Sequence, residues 1–174
     1  MKRILFVSVL GVFVLGLTVA MAAAENFSGT WALDYSKSQG LPENAPKDMT
    51  WSVTQTDKEL TIERPGMPGR GGAGGGAAPA PAPYKAVYKL DGTETTEETP
   101  GPRPGKLTRK AKWLAGGKTL ELADVRNVNV QGNDVTITTT EHWELTDGGK
   151  GLKVHRKQES PQGARETTFI LNKK

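Results

Sequence analysis

The 174-residue sequence contains no cysteine. That absence removes a disulfide frame, a thiolate metal site, a cysteine nucleophile and a lipid-anchored amino terminus. Histidine is scarce, with two in the whole chain, so acid–base chemistry near neutrality has few groups to draw on. No run after residue 24 approaches the roughly 18 apolar residues of a membrane helix, which excludes a polytopic helical membrane protein. A strong charge of one sign is missing as well. There are 23 basic and 19 acidic residues, too even a balance to argue for nucleic acid or a membrane surface as partner. Known catalytic signatures are also lacking: no Gly-x-Ser-x-Gly elbow, no phosphate-cradling Gly-Lys-Ser/Thr loop and no His-Glu-x-x-His.

What is present begins with a leader. Lys2 and Arg3 precede an apolar stretch from Ile4 to Val19, and Ala22-Ala23-Ala24 follows the small-x-small rule of signal peptidase. Residues 1–24 are therefore expected to be a signal peptide, cleaved after Ala24. The mature chain then starts Glu25-Asn26-Phe27, carries 21 basic and 19 acidic residues, and is periplasmic or secreted with no membrane insertion after cleavage. Its length predicts a single domain over 25–174.

Residues 65–83 read PGMPGRGGAGGGAAPAPAP, with seven Gly, five Pro and five Ala among 19 positions. Such a run has nothing to bury, so it is expected to be a disordered insertion. A second soft stretch, Gly92 to Gly105, gathers Glu94, Glu97 and Glu98 before Pro100, Pro102 and Pro104.

Elsewhere apolar and polar residues alternate with the period of a strand, and no window shows a sustained helical stripe. Nine strands are expected: 28–34, 50–56, 59–64, 84–90, 106–114, 119–131, 134–146, 152–159 and 164–172. Gly116-Gly117, Gly132-Asn133, Gly148-Gly149 and Pro161-Gln162 join the last five as tight turns. The fold class predicted is all-β, an antiparallel up-and-down meander of about eight to ten strands. One inward face with no helix to cover it favours closure into a barrel.

In a tight hairpin opposed residues have a constant index sum, so the turns predict a register. It places two apolar rungs across the sheet, Trp113–Leu120–Leu145–Leu152–Leu171 and Ala111–Leu122–Trp143–Val154–Phe169. A charged rung follows on the same face: Arg109–Asp124–Glu141–Arg156–Thr167. The barrel interior is thus expected to be apolar at one end and charged at the other. Asp124 beside Glu141 suggests general acid–base work, but Arg109 and Arg156 flank them and are expected to hold both ionised, so no enzyme activity is expected. Arg109, Asp124, Glu141 and Arg156 are candidate ligand-binding residues. Arg126, one rung further out with no opposed acid, is the better candidate for an anionic ligand group. On the outer face His142 is expected opposite His155; flanking Lys153 and Lys157 argue against a metal there, and no metal or cofactor is expected.

The mature start Asn26-Phe27-Ser28-Gly29-Thr30-Trp31-Ala32-Leu33-Asp34, continuing to Tyr35-Ser36-Lys37-Ser38, resembles the Gly-x-Trp opening strand of lipocalin-like barrels. It is similar in particular to small exported bacterial lipocalin-like proteins that begin Ser-Gly-Thr-Trp-x-Leu-Asp. Their Trp-containing hairpins resemble Glu141-His142-Trp143-Glu144-Leu145 followed by Asp147-Gly148-Gly149-Lys150. The resemblance implies a meander barrel with Trp31 plugging its closed end, covered by Lys173 from the last strand. It also implies a small apolar or amphipathic ligand. The chain departs from classical lipocalins in lacking cysteines and an Asp-x-x-Tyr motif. The expected function is an exported, non-enzymatic binding module for such a ligand. The alternative is a structural or interaction module of the cell envelope with a filled interior.

Overall fold

The computed structural model describes residues 24–43, 45–65, 83–99, 104–114, 116–130 and 132–174. Nearly all of the expected signal peptide (1–23) and of the expected insertion (66–82) lies outside the described residues. Ten antiparallel strands form one sheet: β1 (Gly29–Leu33), β2 (Thr50–Gln55), β3 (Glu59–Arg64), β4 (Tyr84–Lys89), β5 (Thr95–Thr99), β6 (Gly105–Trp113), β7 (Thr119–Val130), β8 (Asn133–Thr146), β9 (Gly151–Ser160) and β10 (Gly163–Lys173). A single 3-10 turn at Asp147–Gly149 is the sole helical element among the described residues. No helix there is long and apolar enough to cross a membrane.

Every strand pairs with its sequence neighbour except β4 and β5, and β1 pairs with β10. The meander therefore curls into a nearly closed barrel with one open seam, between β4 and β5. The expected all-β up-and-down barrel is what the chain forms. One strand was not expected. Thr95-Thr96-Glu97-Glu98-Thr99 has no apolar residue and so no alternation to read. It forms β5 because threonine suits a pleated edge and because β6 supplies cations: Arg109 reaches Glu97 at 2.8 Å, Lys106 reaches Glu98 at 3.7 Å and Lys110 reaches Glu94 at 3.0 Å.

Three of the four expected hairpin registers hold. Trp113 pairs with Leu120, Trp143 with Val154, and Val154 with Phe169. The β7–β8 register differs by two residues: Leu120 pairs with Trp143 and Leu122 with Glu141, while Asp124 pairs with Thr139. Both readings put Gly132 in the turn, where its φ of +85° suits glycine. Val130 pairs with Asn133, so the expected turn at Gly132-Asn133 is not the one formed. A slip of two keeps every side chain on its expected face but moves β8 along the barrel axis.

The closed end is packed with aromatic rings. Phe27, Trp31, Trp51, Trp143 and Phe169 are all buried. Trp143 meets Phe27 edge-on at 5.8 Å and Trp51 at 5.7 Å, and Trp51 meets Phe169 at 5.1 Å. Such pairs add about 0.5–1.5 kcal/mol each beyond simple burial. Trp31 donates its indole N–H to the Phe27 carbonyl at 2.9 Å, and the Lys173 ammonium lies 5.2 Å over its ring. Gly29 explains the Gly-x-Trp spacing. A Cβ there would come within 2.7 Å of Lys173 Cε, displacing the cation from the tryptophan.

Candidate functional site

The changed β7–β8 register divides the expected charged rung in two. The rung above the aromatic floor now reads Ala111–Leu122–Glu141–Arg156–Thr167, and the next reads Arg109–Asp124–Thr139–Gln158–Arg165. Glu141 and Arg156 are cross-strand neighbours, as are Arg109 and Asp124. Asp124 and Glu141, expected side by side, are not paired. Glu141 sits one rung deeper than its expected partner, against Leu122 and Ala111.

Glu141 is buried and is the centre of the deeper group. Its Oε1 accepts from Arg156 Nε at 2.7 Å and from Arg156 Nη2, and its Oε2 accepts the Trp143 indole N–H at 2.9 Å. A second guanidinium, Arg64 of β3, reaches Oε1 at 3.4 Å. Burial alone would push this carboxyl up. Arg156, then Arg64, and the hydrogen bonds from Trp143 and Arg156 outweigh it and hold Glu141 at about 2.

Asp124 is the centre of the outer group. It accepts hydrogen bonds from Tyr88 Oη at 2.8 Å and Tyr84 Oη at 3.2 Å, both from β4. These bonds cross the open seam. Arg109 Nε stays 3.9 Å from Asp124 while its Nη1 bonds Glu97 at 2.8 Å. The expectation that the flanking arginines would keep either carboxyl from being raised is corrected for Asp124. Burial raises the Asp124 pKa above its ordinary value, and Tyr88 and Arg109 only partly oppose it. Arg109 is drawn away by Glu97, so its stabilisation of Asp124 is diluted. The same burial raises Tyr84 and lifts Tyr88 well above its usual range. Both hydroxyls are donors at neutral pH.

Between the two groups lies a cavity of about 180 Å³, walled by Arg64, Tyr84, Asp124, Glu141, Arg156 and Gln158 among others. Above it, between the tips of the β7–β8 and β9–β10 hairpins, runs a wider groove of about 510 Å³. Its lining includes Val128, Val130, Val135 and Ile137, and Gln158 borders both spaces. Three of the candidate residues, Asp124, Glu141 and Arg156, line the cavity; Arg109 backs Asp124 from the next strand. Arg126 stands apart: it is exposed at the rim, opposite Leu107 and Ile137, and lines neither space.

Sequence reasoning missed Arg64, Tyr84 and Tyr88. The signal was there. Alternation along β3 puts Arg64 on the inward face of Leu60 and Ile62, and along β4 it puts both tyrosines on the face of Ala86. The Gly/Pro/Ala run between Arg64 and Tyr84 hid their pairing, which is direct.

On the outer face His142 does oppose His155. Each turns to a carboxylate: His142 Nε2 to Glu121 Oε2 at 3.1 Å, and His155 Nε2 to Glu166 Oε2 at 3.6 Å. Among the described residues no group of three or more acidic or histidine side chains is arranged to hold a metal.

The strand order gives an all-β, nearly closed antiparallel barrel of lipocalin-like fold, with an aromatic floor, one open seam and a polar cavity beside a wider groove. The crystal structure of zebrafish ileal bile acid-binding protein complexed with cholic acid superposes on the chain with a TM-score of 0.50. It shares 13% sequence identity, and the match covers 85% of this chain and 98% of that one. No protein-family profile and no curated protein matches the sequence.

Proposed function

We propose that the protein is an exported, non-enzymatic binding module that holds a small amphipathic ligand at the open end of its barrel. The observation that carries this reading is a polar cavity and a wider, partly apolar groove that share Gln158 in their walls. Ligand sites combine apolar lining with a few convergent polar groups; here the groove's valines and Ile137 supply the first, and Arg64, Asp124, Glu141 and Arg156 of the cavity supply the second. The structural neighbour, crystallised with cholic acid, is a barrel of the same fold holding an amphipathic molecule. The filled aromatic end suits a structural module equally well, but the open end leaves room that such a module has no use for. Arg126 at the rim meets the ligand on entry, and the deeper arginines meet it once seated. Export rests on the Lys2-Arg3 leader and the Ala22–Ala24 site. It predicts a mature protein whose intact mass begins at Glu25.

Native mass spectrometry of the protein purified from its own host tests the binding reading. A stoichiometric small molecule that is lost on denaturation is the expected result. An apo mass, together with no displacement or uptake of a fluorescent apolar probe, would refute it.

A further inference from the structure

Two groups on the cavity wall, of opposite charge, keep hydrogen-bonding capacity that the described residues do not use. The first is Arg64, whose side chain is only 9% exposed. Its guanidinium carbon lies over two rings, 4.9 Å from the centre of Trp51 and 4.2 Å from that of Tyr84. These cation–π contacts anchor the side chain, and Arg64 lines the cavity. Of its donors, one reaches Glu141, at the long end of hydrogen-bond range. Glu141 is already engaged by Arg156 and Trp143. The second group is Asp124. It accepts from two tyrosine hydroxyls, and a carboxylate has roughly four acceptor positions.

Tyr84 links the two. Its ring lies under Arg64 and its hydroxyl sits on Asp124, so a cation held by Glu141 at only 3.4 Å and an anion that Arg109 approaches only to 3.9 Å mark opposite ends of one side chain. The charged side chains lining the cavity are Arg64 and Arg156 against Asp124 and Glu141. A ligand head with a single negative charge would satisfy Arg64 but face Asp124 across a small space, where like charges repel. A head with both signs meets both walls.

Resting on the binding reading above, we propose that the cavity takes a compact zwitterionic head, its oxyanion on Arg64 and its primary ammonium on Asp124. The ligand's tail then lies along Val128, Val130, Val135 and Ile137. The class of ligand is an amphiphile whose head combines a carboxylate or phosphate with an ammonium.

Calorimetric titration with probes of one chain length, each below its micelle concentration, tests this. The probes are dodecanoate, dodecylammonium, 2-aminododecanoic acid and dodecylphosphoethanolamine. At least one zwitterion is expected to bind ten-fold or more tighter than either single-charge probe, and which one does so identifies the oxyanion. Asp124→Asn, checked for folding by tryptophan fluorescence, should bring that zwitterion down to the level of dodecanoate. Arg64→Gln should weaken the zwitterion and dodecanoate together and leave dodecylammonium unchanged. If dodecanoate matches both zwitterions, or Asp124→Asn leaves the preference intact, the head-group assignment is overturned while the binding reading stands. If none of the four binds, both are overturned.

Discussion

Replacing Glu141 by glutamine isolates the electrostatic work of the deeper group. The amide is nearly isosteric and can still accept the Trp143 indole N–H, so packing changes little. What goes is the negative charge shared by Arg156 and Arg64. Both guanidiniums are largely buried, with side chains 17% and 9% exposed. Breaking a buried pair from one side costs about 3–5 kcal/mol, because the remaining charge is stranded away from water. The titration of Glu141 leads to a similar magnitude. A carboxyl at about 2 in the folded state against an ordinary 4.5 corresponds to about 3 kcal/mol of stabilisation. Because the folded pKa is the lower one, that stabilisation is complete above 4.5 and is lost as pH falls through about 2. Urea denaturation followed by tryptophan fluorescence should show a loss of about 3 kcal/mol at pH 7 with an unchanged m-value. Between pH 4.5 and 2 the difference between the two proteins should shrink toward zero. A loss under about 1 kcal/mol at pH 7, or a difference independent of pH, would show that Glu141 does not hold the two arginines.

Carbon-detected NMR titration of the carboxyls should separate the two groups, with Asp124 titrating above an exposed aspartate and Glu141 near 2; coincident midpoints would contradict the burial argument. For Asp124 the sign is reversed, and its contribution to stability grows as pH falls through its raised folded pKa. Trp143→Ala should cost about 3–5 kcal/mol, since the ring is fully buried between Phe27 and Trp51; a cost under about 1 kcal/mol would refute its central place. Replacing 65–83 with a short Gly/Ser turn should leave stability unchanged or raise it by about 1 kcal/mol, because Arg64 and Tyr84 are directly paired and a shorter loop costs less to close. A loss above about 1 kcal/mol in the same denaturation assay would mean that the run packs on the barrel.

Alternation with period two was enough to assign nine of the ten strands, their inward faces and the aromatic floor, because burial on one side of a sheet writes itself into every second residue. It also contained the inward aspect of Arg64, Tyr84 and Tyr88, although the 65–83 run masked it. Three kinds of fact were not local and could not be read in this way. Strand β5 has no apolar pattern; it lies along β6, where Arg109 and Lys106 pair with its Glu97 and Glu98. The β7–β8 register was not local either: two turns containing Gly132 satisfy the same alternation, so alternation alone does not choose between them. The cavity is a product of closure. Pairing β1 with β10 brings β3 and β4 across from β7, β8 and β9, so that Arg64 reaches Glu141, 77 positions along the chain, and the tyrosines reach Asp124. Side chains that face the same interior are named by the sequence, but which of them touch is decided by how far the sheet curls and by the axial offset of each strand.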